Sequence, residues 1–280
     1  MKFALIGDIH GFWNEKDVEY FNNSDYDVLF FAGDFGKLGS FGKIDFDFSL
    51  QGLQKKAYLI PGNWDGTNVL GLLGEAKNLS FLKWLGSFGY RKRMKTFSEK
   101  VRPLPIMGYS TVVLSEEKSL TLIVGRPHAM GDGFSFAKNL SSVYGVRNSE
   151  ESKIKYMTLI DSISQENLIF LSHNGSYGLG DKPTSIYGAD FKKEGGDIGD
   201  EDLQFAVQYA KQKGKKVPAV LSGHMHHHSP ALKIERESIV YTGGTTYVNG
   251  AKVPRIRKGK HFHTKIEWNG GSVVVIPVWV

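Results

Sequence analysis

Residues 1–10 read Met-Lys-Phe-Ala-Leu-Ile-Gly-Asp-Ile-His, a short apolar run that breaks at a glycine and delivers an aspartate and a histidine. The arrangement recurs. Val28 to Ala32 runs into Gly33-Asp34, Ala57 to Ile60 into Gly62-Asn63, Leu168 to Leu171 into His173, and Ala219 to Leu221 into Gly223-His224-Met225-His226. Each run has the length and the β-branched or aromatic content of a strand. Five expected strands therefore end in side chains that can bind a metal or move a proton, and open α/β sheets carry their sites at the carboxyl ends of strands. A lone aspartate after a strand usually caps a helix, and a lone histidine is usually a satisfied core or surface residue. The recurrence at five strand ends is what argues for a site.

Between these runs, helices are expected at Glu15 to Phe21 and Asp47 to Lys55, then over a longer region from Asn63 to about Glu99 that glycines interrupt. Two more fit Glu150 to Ile163 and Glu201 to Lys211, the latter with Leu203, Ala206, Val207 and Ala210 on one face. Alternating strands and helices predict βαβ units and a largely parallel sheet. Leu104 to Val124 reads as strands of a second sheet, followed by a glycine-rich loop from Gly125 to Gly133. The tail, Ile239 to Val280, reads as hairpins around Gly243-Gly244 and Asn269-Gly270-Gly271. No repeat or linker divides the chain, so a single domain over residues 1–280 is expected.

Composition narrows the chemistry. Apolar residues make up 41% and charged residues 23%, which suits a globular fold rather than disorder. No apolar run approaches the roughly 18 residues of a spanning helix. The absence of cysteine excludes disulfides, thiolate ligands and a cysteine nucleophile, so any metal sits on nitrogen and oxygen, and a reducing, cytoplasmic location is expected. Such donors suit manganese foremost, and iron, zinc or nickel. The formal charge of +6 favours anionic partners. Two basic runs, Arg91-Lys92-Arg93-Met94-Lys95 and Arg255-Ile256-Arg257-Lys258, could track a nucleic-acid backbone, although no nucleic-acid module accompanies them and such runs are commonly solvated faces.

Asp8-Ile9-His10, Gly33-Asp34, Gly62-Asn63, His173 and Gly223-His224-Met225-His226 together resemble the ordered motifs of calcineurin-like metallophosphoesterases. The resemblance implies an α/β fold, a four-layer αββα sandwich of two mixed β-sheets. It implies two divalent ions: Asp8, His10 and His226 on one, Asn63, His173 and His224 on the other, with Asp34 shared. It further implies in-line attack on a phosphoester by a hydroxide bridging the ions. Asp8, Asp34, Asn63 and His173 are then the expected catalytic residues. Most members read Gly-Asn-His-Asp or Gly-Asn-His-Glu, whereas this chain reads Gly62-Asn63-Trp64-Asp65. An indole N–H donates a hydrogen bond but is no proton source at neutral pH. Branches with Gly-Asn-Cys-Asp lack the same histidine and resemble phosphodiesterases in activity, so a phosphodiesterase, or a hydrolase of activated phosphoesters, is expected here. Trp64, Arg126 and His128 are the expected substrate contacts, Arg126 because a glycine-rich loop can present its fork to phosphate oxygens. The competing expectation is a related scaffold or binding protein that has lost catalysis.

Overall fold

A computed structural model describes residues 1–131, 133–191, 195–229 and 232–280. The chain begins β1 (Lys2–Ile6), α1 (Glu15–Asn23), β2 (Val28–Phe31), the short β3 (Lys37–Leu38) and β4 (Ile44–Asp45), then β5 (Ala57–Leu59). Four helices follow: α2 (Asn63–Gly66), α3 (Val69–Ala76), α4 (Ser80–Ser87) and α5 (Tyr90–Lys100). Next come β6 (Ser110–Ser115), β7 (Leu120–Val124), α6 (Ala137–Tyr144), α7 (Ser149–Asp161), β8 (Asn167–Leu171), α8 (Glu201–Gln212) and β9 (Lys216–Ser222). The tail holds β10 (His228–Ser229), β11 (Ile234–Glu235), β12 (Ile239–Thr242), β13 (Thr245–Asn249), β14 (Ile256–Arg257), β15 (Lys260–Trp268) and β16 (Val273–Trp279).

Among the described residues these strands form two six-stranded mixed sheets. The first has the order β14-β15-β1-β2-β5, with β16 paired to β15; the second runs β12-β13-β9-β8-β7-β6. Side-chain alternation sorts each strand's residues between two layers. Phe3, Leu5, Val28 and Phe30 share an inner core with Leu122, Val124, Ile169, Leu171 and Leu221, so the sheets pack face to face. Their neighbours Ala4, Ile6, Leu29 and Phe31 turn outward onto Phe21 of α1 and Phe97 of α5. On the other sheet Leu168, Phe170 and Val220 turn outward onto Tyr156 of α7 and onto Leu203, Ala206 and Val207 of α8. The architecture is therefore the four-layer αββα sandwich.

Two local expectations fail. Residues 47–55 form no helix. Ile44, Phe46, Phe48 and Leu50 are buried at every second position, the period of an extended segment laid along the core, and that burial overrides helical propensity. Conversely, α6 occupies a stretch with no assigned helix, its Leu140 buried and its Val143 exposed. The tail does form the β12–β13 and β15–β16 hairpins. It also does more: β13 joins β9 in parallel, and β15 crosses to pair antiparallel with β1. Among the described residues, no helix is long and apolar enough to cross a membrane.

Candidate metal centre

The loops that leave β1, β2, β5, β8 and β9 meet at one edge of the sandwich. Asp8 (φ 48°), His10 (φ 43°), Asp34 (φ 51°) and His224 (φ 71°) all take left-handed backbone conformations. Such residues are uncommon outside glycine, and strain of this kind persists only where surrounding structure holds it, often at sites. Glycine is required beside them. A Cβ on Gly62 would lie 2.1 Å from Asp34 Oδ1, and one on Gly223 would lie 2.4 Å from Asp8 Oδ1.

Two groups of donor atoms form. Asp8, His10 and His226 offer atoms within 4.8 Å of one another, and Asp34, His173 and His224 do the same. In the first group His226 Nε2 stands 3.2 Å from Asp8 Oδ2 and 3.2 Å from His10 Nε2. Asp8 Oδ2 is buried without a hydrogen bond. In the second, Asn63 Oδ1 lies 2.7 Å from His173 Nε2 and 3.1 Å from His224 Nδ1. Asp34 lies between the groups, Oδ1 3.5 Å from His173 Nε2 and Oδ2 3.9 Å from His10 Nε2. Facing imidazole nitrogens, an orphaned carboxylate oxygen and a carboxylate reaching both groups are costly unless cations hold them together. The residues thus fit two divalent ions on nitrogen and oxygen donors.

Neighbouring groups aim these side chains. His10 Nδ1 meets Gly36 O at 3.0 Å and His173 Nδ1 meets Ala32 O at 2.6 Å, which turns each Nε2 toward the cluster. The Asp8 and Asp34 carboxylates accept the N–H groups of His224 and Trp64, both at 2.8 Å. Asp65, to which the sequence pattern assigns no role, accepts N–H bonds from Phe35 (2.8 Å), Gly36 (3.1 Å) and Gly62 (2.8 Å) and so ties the Asp34 loop to the Asn63 helix. Burial and the Asp34 carboxylate push Asp65 up to about 7, against those three donors.

Electrostatics set the proton inventory. Burial opposes the charging of His173, but Asp34 and Asp8 outweigh it and raise its pKa to about 10. His226 is likewise raised, by Asp8 against burial. His224 is pushed down to about 4 by burial and by His173. The metal-free protein therefore carries a proton on His173 near neutrality and favours the protonated form of His226, and a metal must displace what protons they hold. Mn²⁺ uptake at pH 7 is expected to release about one to two protons per chain, with affinity rising as pH rises. Calorimetry in buffers of different ionisation enthalpy measures this; uptake without proton release would contradict the assignment.

The remaining expected residues scatter. Trp64 is half-buried and meets His10 edge-on, ring centroids 5.1 Å apart at 83°. His128 is buried, its Nδ1 2.6 Å from Gly62 O and its Nε2 3.3 Å from Tyr90 Oη, and burial lowers its pKa to about 4. It props the Asn63 loop instead of opening to solvent. Arg126 does not present a fork to the cluster. Its guanidinium is buried, with Nη2 2.6 Å from Asp200 Oδ1 and Nε 2.9 Å from Asp202 Oδ2, because a charge at this depth needs counter-charges. His227 Nε2 meets Asn249 O at 2.8 Å, and Asn174 Nδ2 donates to Ile198 O at 2.8 Å, both buried. In the basic runs Arg255 is internal, pairing with Asp17 at 2.8 Å, and Arg93 donates to the carbonyls of Phe88 and Gly86, each at 2.7 Å.

The model of a family described as calcineurin-like phosphoesterase matches residues 1–228. No curated protein matches the chain. Among solved structures, a dimetal phosphatase from Danio rerio is similar over 99% of this chain and 98% of its own, with a TM-score of 0.50 at 10% identity, a likeness of fold. A structure titled as an archaeal phosphodiesterase covers 99% of this chain and 100% of its own, with a TM-score of 0.36 and 12% identity.

Proposed function

This chain belongs to the calcineurin-like phosphoesterase family, and from that premise we propose that it is a phosphodiesterase or a hydrolase of activated phosphoesters. It is a metal-dependent phosphoester hydrolase of the dinuclear class. The observation that carries the finer reading is Trp64. It stands where a proton donor to the leaving oxygen is expected, and it sits edge-on to His10. His128 does not supply the missing acid, since it is buried and held neutral near pH 7. Without a general acid, turnover favours leaving groups that depart as stable anions.

Asp8, His10 and His226 would hold one cation and Asn63, His173 and His224 the other, with Asp34 between them. Such ions, when bound, would polarise phosphoryl oxygens and lower the pKa of bound water. The donor set supports manganese, with iron, zinc and nickel as alternatives. Asp65 and His10 keep the two loops in register through Gly36 and Gly62, and Trp64 walls the pocket beside His10. The cysteine-free chemistry suits a reducing compartment, and we place the enzyme in the cytoplasm.

With added Mn²⁺ the protein is expected to hydrolyse bis-aryl phosphate diesters and to leave alkyl monoesters nearly untouched, by roughly a hundredfold or more in kcat/KM, the span a general acid ordinarily provides. Steady-state rates on the two substrate classes decide the point. Alkyl monoester turnover equal to or faster than diester turnover would sink the diesterase reading.

A further inference from the structure

The α3–α4 hairpin is built inside out. Its two helices meet through glycines: a Cβ on Gly86 would lie 2.2 Å from Gly71 Cα, and one on Gly74 would lie 2.5 Å from Lys83 N. Backbones this close leave no room between them for large side chains. The large apolar residues point outward instead. Phe81 (67% exposed), Trp84 (49%) and Phe88 (55%) follow one another at helical spacing, and Leu70, Leu73 and Leu79 are also exposed on the same hairpin. Phe81 stacks on Trp84 at 6.0 Å, and Trp84 meets Phe88 edge-on at 4.6 Å, so the rings form one patch. Contiguous exposed apolar surface of this kind marks a contact site.

Charge identifies what the patch meets. Between Thr67 and Lys100 seven basic residues face two glutamates, a net +5 of the chain's formal +6. One of those glutamates, Glu75, is turned inward, accepting from Phe136 N at 3.1 Å and standing 3.4 Å from Lys83. Lys77, Arg91, Lys92 and Lys95 are exposed. Tryptophan, phenylalanine and leucine flanked by lysine and arginine is the composition of an element that lies in the interface of an anionic bilayer. Single-stranded nucleic acid would need open ring faces along a basic groove. Here the rings contact one another instead of lining a groove, and Leu70, Leu73 and Leu79 add exposed aliphatic surface on the same hairpin.

We propose that the α3–α4 hairpin seats this protein on an anionic lipid surface, with Phe81, Trp84 and Phe88 entering the headgroup layer and the basic residues of α5 holding the lipid charges. The hairpin begins six residues after Asn63, and Thr67 Oγ1 donates to Gly86 O at 3.3 Å, so a docked hairpin would hold the metal-site edge near the membrane. The inference stands apart from the diesterase reading, because its test measures binding and not turnover.

The test is co-sedimentation of the full chain with phosphatidylcholine vesicles, with and without about one part in three phosphatidylglycerol. Binding is expected only to the anionic vesicles, and raised salt should weaken it. The combined change Phe81→Ser, Trp84→Ser and Phe88→Ser should weaken binding roughly tenfold or more with an unchanged melting temperature. The pair Lys92→Glu and Lys95→Glu should erase the preference for anionic lipid. No binding at low salt, undiminished binding by the serine variant, or tighter binding to a single-stranded oligonucleotide would each overturn the proposal.

Discussion

Asp34→Asn is expected to abolish phosphoester turnover while leaving the fold intact. Asparagine keeps the shape of the side chain, can still accept the Trp64 N–H that now donates to Oδ1 at 2.8 Å, and tolerates the left-handed backbone at φ 51°. What it loses is the negative charge between the His173 group, 3.5 Å away, and the His10 group, 3.9 Å away. Both cations should bind more weakly and the shared ligand between them should fail, a loss of about a thousandfold or more in kcat. His10→Ala removes a donor from one group only, and water can partly replace it. Raised Mn²⁺ should therefore restore His10→Ala further than Asp34→Asn. Rates across a Mn²⁺ titration, with circular dichroism as the check on folding, measure both. A fully active Asp34→Asn protein would mean that the centre lies elsewhere.

Arg126→Met should destabilise the protein by about 3–5 kcal/mol, because it leaves two buried carboxylates without their cation. Asp200 Oδ1 at 2.6 Å and Asp202 Oδ2 at 2.9 Å both depend on it, and Asp202 Oδ2 also accepts the Ser152 hydroxyl. Burial already pushes Asp200 up to about 6 in spite of Arg126. Removing the cation raises it further, so the folded state binds a proton that the unfolded state releases at lower pH, and stability falls as pH rises between the two pKa values. The deficit should accordingly be larger at pH 8 than at pH 5. Urea titrations at both pH values test this. An unchanged midpoint together with a raised KM would restore Arg126 as a substrate contact.

The polar residues at the strand ends were legible because their signal is local. An apolar run, a glycine and a polar residue specify strand, turn and exposed tip within about eight residues, and β-sheet topology then carries five such tips to one edge. Parallel packing of β1, β2 and β5, and of β7, β8 and β9, gathers Asp8, Asp34, Asn63, His173 and His224 from across the chain. The helical face of α8 was legible for the same reason, since its apolar spacing repeats within one element. Local reading went astray where burial competes with propensity, as at Phe46, Phe48 and Leu50, which lie extended along the core.

The role of a charge is a different kind of quantity. Arg126 and Arg255 look alike in sequence to any exposed arginine, and Asp65 looks like a helix-capping residue. Their partners are Asp200 and Asp202, Asp17, and the N–H groups of Phe35 and Gly36, separated from them by 29 to 238 residues. The sequence by itself determined the α/β class and which strand ends bear nitrogen and oxygen donors, because periodicity and turn chemistry are properties of adjacent residues, and its ordered motifs implied the layered sandwich through family resemblance. Only the tertiary structure decided which charges are internal, which histidines carry protons and that the α3–α4 hairpin turns its aromatic face outward. Desolvation and Coulomb energy depend on distance in space, and neighbours far along the chain set that distance.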